Sequence, residues 1–436
     1  MAVGRFCLTE YDPPFPLVGQ IANAMDLAPA RVSEWLQLAG DRAALSLGFT
    51  NTPLQFVGQR VQAVGFAGLL RVAPAIELEV APKFLGSSAG GWREDFFFLA
   101  MLSRHGRLLS SDRLRAMSSA NTDLATLVAR ALVQMYWDNH RRPIRTYRCR
   151  LENHFAIEGD VDPEELRMPT GDGFAQTVIR FDRTNPYNAA VSAACADLLP
   201  VIQDADVRAN LERIMLSLGV QAPLRSLQPK RLPSRARSWQ PTYELALDVL
   251  SGFGLTYDGG KAIAPGFVLS TWQIWEDLIT IALRSHLGGA AVEAQKGIKL
   301  GHRQRSADGN WSSERPFLVT PDLRIDGSKA GFGDMLIDAK YKGRLHRGLQ
   351  RIVEADVYES MAFAKAAKSN QIILVYPRLA VGSPKEIGTT LVFERITIDD
   401  VIIWGVEVEV RGIAKRGGLK EFAERLCAAL TKIPSI

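Results

Sequence analysis

Hydrophobic and polar positions change their period several times along the chain, and each change predicts an element. Between residues 63 and 85 the pattern is that of strands. Within it, Ile76, Leu78 and Val80 alternate with Glu77 and Glu79, as expected of a half-solvated strand. Helical spacing takes over at 93–104 and 122–140, where Leu124, Leu127, Val128, Ala131, Leu132 and Met135 share one stripe. Strands and loops are expected over 145–185, and helix again over 188–216. After residue 242 the pattern gives a helix at 243–251, a glycine-rich turn at 252–260 and a helix at 270–286. Strands follow at 291–299, 316–325 and 334–341, then a helix at 349–367. Strands at 371–376, 389–398 and 401–410 precede a closing amphipathic helix at 419–430. The expected class is mixed α/β, with an N-terminal α+β region at 1–221, a linker at 222–241 and a C-terminal domain at 242–436. That last domain has a central mixed sheet flanked by helices.

Composition narrows the function classes. With 47% hydrophobic and 23% charged residues, the 436-residue chain can bury two or three cores. The net charge of +5 and the pI of about 9.0 suit nucleic acid without demanding it. The basic residues cluster in places. The stretch 222–240 carries Arg225, Lys230, Arg231, Arg235 and Arg237 with no acid, and reads as a linker or a phosphate-tracking arm. The four cysteines form no C-x-x-C pair, which points to a reducing, cytoplasmic setting. No apolar run of eighteen residues or secretory signal is present, so no membrane association is expected.

The chemistry concentrates in Thr320-Pro-Asp-Leu-Arg-Ile325 and Met335-Leu-Ile-Asp-Ala-Lys-Tyr341. Strand alternation sends Asp338 and Lys340 to one face and Ile337, Ala339 and Tyr341 to the other. Asp322 begins the neighbouring strand, so two carboxylates and a lysine can meet at one edge. Mg²⁺ takes carboxylate oxygens and keeps waters for a phosphate, with Mn²⁺ the alternative ion. It would activate water while the lysine orients the attacking water and stabilises the charge growing on the phosphoryl group. This is the PD-(D/E)xK arrangement of metal-dependent phosphodiesterases. Asp338-Ala-Lys340 is the only [DE]-x-K in the chain, and Pro321-Asp322 its only Pro-Asp. A surface Asp–Lys ion pair is the competing explanation. Glu276, on the apolar stripe of Trp272, Ile279 and Leu283, is costly to bury unless a partner or metal satisfies it. Downstream, Lys342, Arg344, His346, Arg347 and Arg351 form a basic loop suited to DNA phosphates. Histidine spacing fits neither H-x-x-x-H nor H-E-x-x-H, no G-x-S-x-G occurs, and Gly254 to Ala262 fails the P-loop spacing.

Several patches resemble the McrC family, the nuclease subunit of McrBC-type modification-dependent restriction systems. They are Ile76-Glu-Leu-Glu-Val-Ala-Pro-Lys83, Phe98-Leu-Ala-Met-Leu102, Ile157-Glu-Gly-Asp160, Asn185-Pro-Tyr-Asn188 and Tyr243-Glu-Leu-Ala-Leu247. The nuclease patch is Trp275-Glu276, Pro321-Asp322, Ile337-Asp-Ala-Lys-Tyr-Lys342 and Ile373-Leu-Val-Tyr-Pro377. The resemblance implies that Asp322 and Asp338 are metal ligands, Lys340 the catalytic lysine and Glu276 an accessory acid that also faces the metal. It further implies that the N-terminal region docks onto a McrB-like AAA+ GTPase or ATPase ring, stimulates its hydrolysis, and that double-stranded DNA is cut when complexes meet. One departure stands out: Glu359 and Phe363 occupy positions where the family often has Gln and Tyr. A stand-alone restriction or repair nuclease and a non-catalytic adaptor of the motor are the alternatives.

Overall fold

The computed structural model describes residues 4–73, 75–87, 91–105, 123–161, 163–167, 170–221, 224, 230–250, 267–307, 310–342, 344–346 and 349–433. The expected glycine-rich turn at 252–260 and Arg347 lie outside these residues. Contacts divide the chain into two units. One comprises Met1–Val3, Ala73–Ala75 and Asp123–Phe267, and the other Gly4–Val72, Ile76–Thr122 and Val268–Ile436. The contacts thus group the first hundred residues with residues 268–436, whereas the sequence pattern placed the border at 222–241.

The larger unit is built on a six-stranded mixed sheet. Its strands run in the order Val292–Ala294, Leu323–Ile325, Met335–Ala339, Gln371–Pro377, Val401–Val408 and Thr390–Ile398. The first three pair antiparallel, the next two join in parallel, and the edge strand Thr390–Ile398 returns antiparallel. The central strand Gln371–Pro377 is buried along its whole length, which explains its unbroken apolar run. Leu336, Phe363, Leu374, Tyr376 and Ile403 pack together where the helix Glu354–Ala367 covers one part of the sheet.

The same unit contains a four-stranded sheet in the order Gly4–Thr9, Ile76–Ala81, Phe66–Ala73 and Phe267–Ser270. Its second strand corrects the expectation of a half-solvated strand. Glu77 and Glu79 are buried. Glu77 pairs with Arg71 and with Arg5, and Glu79 accepts from the Arg93 guanidinium at 2.6 and 2.8 Å. Buried carboxylates are tolerated here because each has a guanidinium partner.

In the smaller unit, the helices Leu124–Asn139, Pro186–Leu198, Ala205–Leu218 and Gln240–Leu250 accompany a three-stranded sheet. Asn185 and Asp204 cap two of these helices through their side chains. One further element differs from expectation. Residues 349–351 open no helix; they pair with Arg344–His346 as a small hairpin, and the helix starts at Glu354.

Candidate active site

Register brings the two aspartates together. Leu323 pairs with Ile337 in the antiparallel ladder, so one step further sets Asp322 opposite Asp338. Asp322 Oδ2 accepts from the Ala339 amide at 2.7 Å, which fixes its carboxylate across the strand end. Asp338 is only 3% exposed. Its Oδ2 lies 2.7 Å from Lys340 Nζ as an ion pair, without a donor in hydrogen-bond geometry. Lys340 therefore shares the face of Asp338, as strand alternation requires, while Ile337 and Tyr341 are buried.

The Val375 carbonyl ties the neighbouring elements to this point. It accepts from the Lys340 amide and from the Trp275 indole, both at 2.9 Å. Trp275 is fully buried and anchors the helix Thr271–Leu287, which carries Glu276. Ile279 and Leu283 are buried as expected, but Trp272 is 48% exposed, so Glu276 stands at the margin of the apolar stripe.

Two further acids and one amide adjoin these residues; the sequence had marked Glu359 only as a departure from the family pattern and had not marked Gln295. Lys340 Nζ lies 2.6 Å from Glu359 Oε2 and 3.9 Å from Asp356 Oδ1, both on the helix Glu354–Ala367. Asp356 also accepts from the Tyr376 hydroxyl at 3.0 Å. Gln295 donates its side-chain amide to Glu276, and its backbone N–H donates to the Asp322 carbonyl at 2.8 Å. Its φ of 48° is left-handed, a conformation non-glycine residues adopt sparingly. Only Glu276, a lone acid on an apolar stripe, hinted at such a partner.

Electrostatics explains why the cluster is poised for a cation. Burial, followed by the Asp338 charge and then Glu276, pushes Asp322 well above the ordinary carboxylate range. Burial also raises Glu276, with Asp277 and Asp338 adding to it against the Gln295 hydrogen bond. For Lys340, burial opposes the charged form, but Asp338 and Glu359 outweigh it and keep the ammonium protonated. Among the described residues no three Asp, Glu, His or Cys side chains form a ready metal cage. The donor set on offer is two facing carboxylates, one with a buried oxygen lacking a hydrogen-bond donor. This suits Mg²⁺, which binds through one or two carboxylates and keeps water and phosphate ligands.

The other sequence candidates are basic residues of the segment after Lys340 and of the smaller unit. Lys342 is exposed, and Arg351 is exposed with Glu394 3.8 Å away. Arg344 lies in the small hairpin. In the other unit Lys230, Arg231 and Arg237 are exposed. Arg235 instead lies over the Tyr147 and Phe181 rings, 5.5 and 4.6 Å from their centroids, and donates to the Arg145 carbonyl.

A family model, the McrBC 5-methylcytosine restriction system component, matches residues 61–377, which include Glu276, Asp322, Asp338 and Lys340. The chain belongs to this family. The McrBC fold is recognisable in solved structures too. One chain of a refined half-complex from the tetradecameric assembly of Thermococcus gammatolerans McrB AAA+ hexamers with bound McrC superposes with a TM-score of 0.67. It is 14% identical, and the match covers 98% of this chain and 100% of that one. A chain from a cryo-EM structure of the Thermococcus gammatolerans McrBC complex gives a TM-score of 0.48 at 14% identity, over 65% of this chain and 88% of that one. No curated protein matches the sequence. Among the described residues, no helix is long and apolar enough to cross a membrane.

Proposed function

We propose that this McrBC family member is the McrC-type nuclease subunit of a restriction system, a Mg²⁺-dependent DNA phosphodiesterase with a PD-(D/E)xK site. The convergence of Asp322, Asp338 and Lys340 at adjoining strand ends carries this reading. Asp322 and Asp338 would hold Mg²⁺ (Mn²⁺ the alternative), with Glu276 as the accessory acid. Bound there, the ion supplies an acidified water and neutralises charge on the phosphoryl oxygens. Lys340, kept cationic by Asp338 and Glu359, is placed to stabilise the extra negative charge of the transition state. Gln295 orients Glu276 and braces the Asp322 backbone. Lys342 and Arg351, exposed in the segment that follows Lys340, would contact DNA phosphates, and Arg344 and Arg347 are proposed with them from the sequence. Lys230, Arg231 and Arg237 offer a second basic segment, while Arg235 is engaged in packing.

The partner reading has its own support. The strands Thr146–His154 and Phe174–Asp182 pair Tyr147 with Phe181 and Cys149 with Ile179 on one face. Leu151 and Ile179 on that face are 77% and 65% exposed. An apolar sheet face of this kind suits a protein partner, and an AAA+ ring of the McrB type is the one proposed, with cleavage coupled to its GTP or ATP hydrolysis. The test is plasmid cleavage in Mg²⁺ by the wild type and Asp338→Asn, with and without the AAA+ protein and nucleotide. Asp338-dependent cleavage only with the motor is expected. Cleavage without the motor would identify a stand-alone enzyme, and no cleavage with an active, bound motor would refute the nuclease reading.

A further inference from the structure

A second cluster of ionisable groups lies directly behind Lys340. Glu10, at the end of the first strand, is fully buried. One carboxylate oxygen accepts from Thr271 Oγ1 at 2.7 Å, and the other accepts from the Tyr341 hydroxyl. Lys83 Nζ donates to the Tyr341 carbonyl and sits 4.2 Å from the centroid of its ring. Phe84 closes the edge of that ring, with centroids 6.0 Å apart at 84°.

We infer that Glu10 and Lys83 are positioning residues for Lys340, holding Tyr341 and the Glu276 helix in one fixed relation. The inference rests on the nuclease reading for the role of Lys340. Tyr341 follows Lys340 and points to the opposite face, so fixing its hydroxyl, ring and carbonyl fixes the direction in which Lys340 leaves the backbone. The strand Met335–Ala339 has already ended at this point, and the Lys340 amide has only the Val375 carbonyl to hold it. Thr271 is the first residue of the helix that carries Glu276. One carboxylate therefore links the two elements that bring Lys340 and Glu276 to the site, and Glu10 is 331 residues from Tyr341 and 261 from Thr271. A packing role alone would not need a buried acid at this junction, since burying a carboxylate is costly unless its acceptor capacity is used.

The charge state of Glu10 adds a pH signature. Burial raises Glu10 to about 7 against the hydrogen bonds from Tyr341 and Thr271 and the charge of Lys83. Burial lowers Lys83 to about 8, opposed by Glu10 and assisted by Lys342. Tyr11 also faces the pair, its ring 5.2 Å from Lys83 Nζ. The ionised carboxylate accepts from both hydroxyls; protonation puts a donor on one oxygen, and the hydroxyl facing it must turn its own hydrogen away and accept instead.

The experiment compares full-length wild type, Glu10→Gln and Tyr341→Phe, with the AAA+ partner where cleavage requires it. Melting temperature serves as the control for folding. At pH 8 each variant should lower kcat roughly tenfold with KM for DNA little changed, the scale on which outer groups that orient active-site residues act. The ratio of wild-type to Glu10→Gln rates should collapse toward one as pH falls below 7. Reductive methylation of Lys340, read by peptide mass spectrometry, should be several-fold faster in both variants and needs no cleavage. Equal rates, a pH-independent ratio and unchanged labelling in folded variants would overturn the inference. A wild type that cuts nothing would count against the nuclease reading only, and the labelling of Lys340 would then decide the positioning role.

Discussion

Removing the Lys340 ammonium should destabilise the metal-free protein as well as silence it. Asp338 is 3% exposed and its buried Oδ2 has Lys340 Nζ 2.7 Å away, while no hydrogen-bond donor reaches it in proper geometry. Lys340→Ala takes away that carboxylate's cationic partner, a loss that runs to about 3–5 kcal/mol for a broken buried pair. For a unit of this size about 2 °C accompanies each kcal/mol, giving a fall of roughly 6–10 °C in melting temperature. If Asp338 and Asp322 hold Mg²⁺ as proposed, the ion at about a hundred times its Kd should return about 2.7 kcal/mol. The assay is thermal unfolding at pH 8 in EDTA and then in Mg²⁺. Lys340→Ala/Asp338→Asn serves as the control, since with both charges removed most of the lost stability should return. A drop below about 2 °C in EDTA, set against this scale, would refute the reasoning. So would a drop that Mg²⁺ leaves untouched.

Two other expectations follow from the same geometry. Glu10 rises from 4.5 to about 7 and Asp95 from 3.8 to about 6, burial being the first cause in each. The folded state then binds these protons more tightly than the unfolded one. Their contribution is complete near pH 4 and lost as pH rises through 6 and 7. Melting temperature in EDTA should fall between pH 5 and 8, less so in Glu10→Gln, and a rise across that window would contradict the assignment. On the exposed sheet face, Leu151→Glu with Ile179→Glu should leave stability within about 0.5 kcal/mol, as for surface changes generally. The pair should abolish stimulation of the partner's nucleotide hydrolysis, and full stimulation would remove this face from the docking surface.

The legible part of the site is the part written in local periods. Alternation on one strand put Asp338 and Lys340 on one face, and helical spacing flagged Glu276 as an acid beside buried apolar residues. Local period says which residues share a face, but not what covers that face. Glu77 and Glu79 looked solvent-facing by alternation, and only Arg71, Arg5 and Arg93 arriving from other elements make their burial affordable. Glu10 gave no signal for the same reason, and Lys83 showed only as the end of a family patch without a role, their partners being 331 and 258 residues away. Gln295 escaped notice because a left-handed turn residue has no periodicity. Residues 349–351, the second strand of the small hairpin, were merged into the following helix because three-residue strands are too short to show alternation.

The link between Glu10 and Tyr341 also bears on the order in which the proposed site can assemble. A ribosome delivers Glu10 early and Tyr341 331 residues later. Throughout that interval Glu10 and Lys83 lack their Tyr341 contacts, whereas the first strand already has Ile76–Ala81 and Glu77 and Glu79 already have Arg5, Arg71 and Arg93. On the proposed reading Lys340 is held in place only once Glu10 and Tyr341 have met, so a product that stops short of Tyr341 would lack that support. A contact spanning 331 residues would then complete the proposed site.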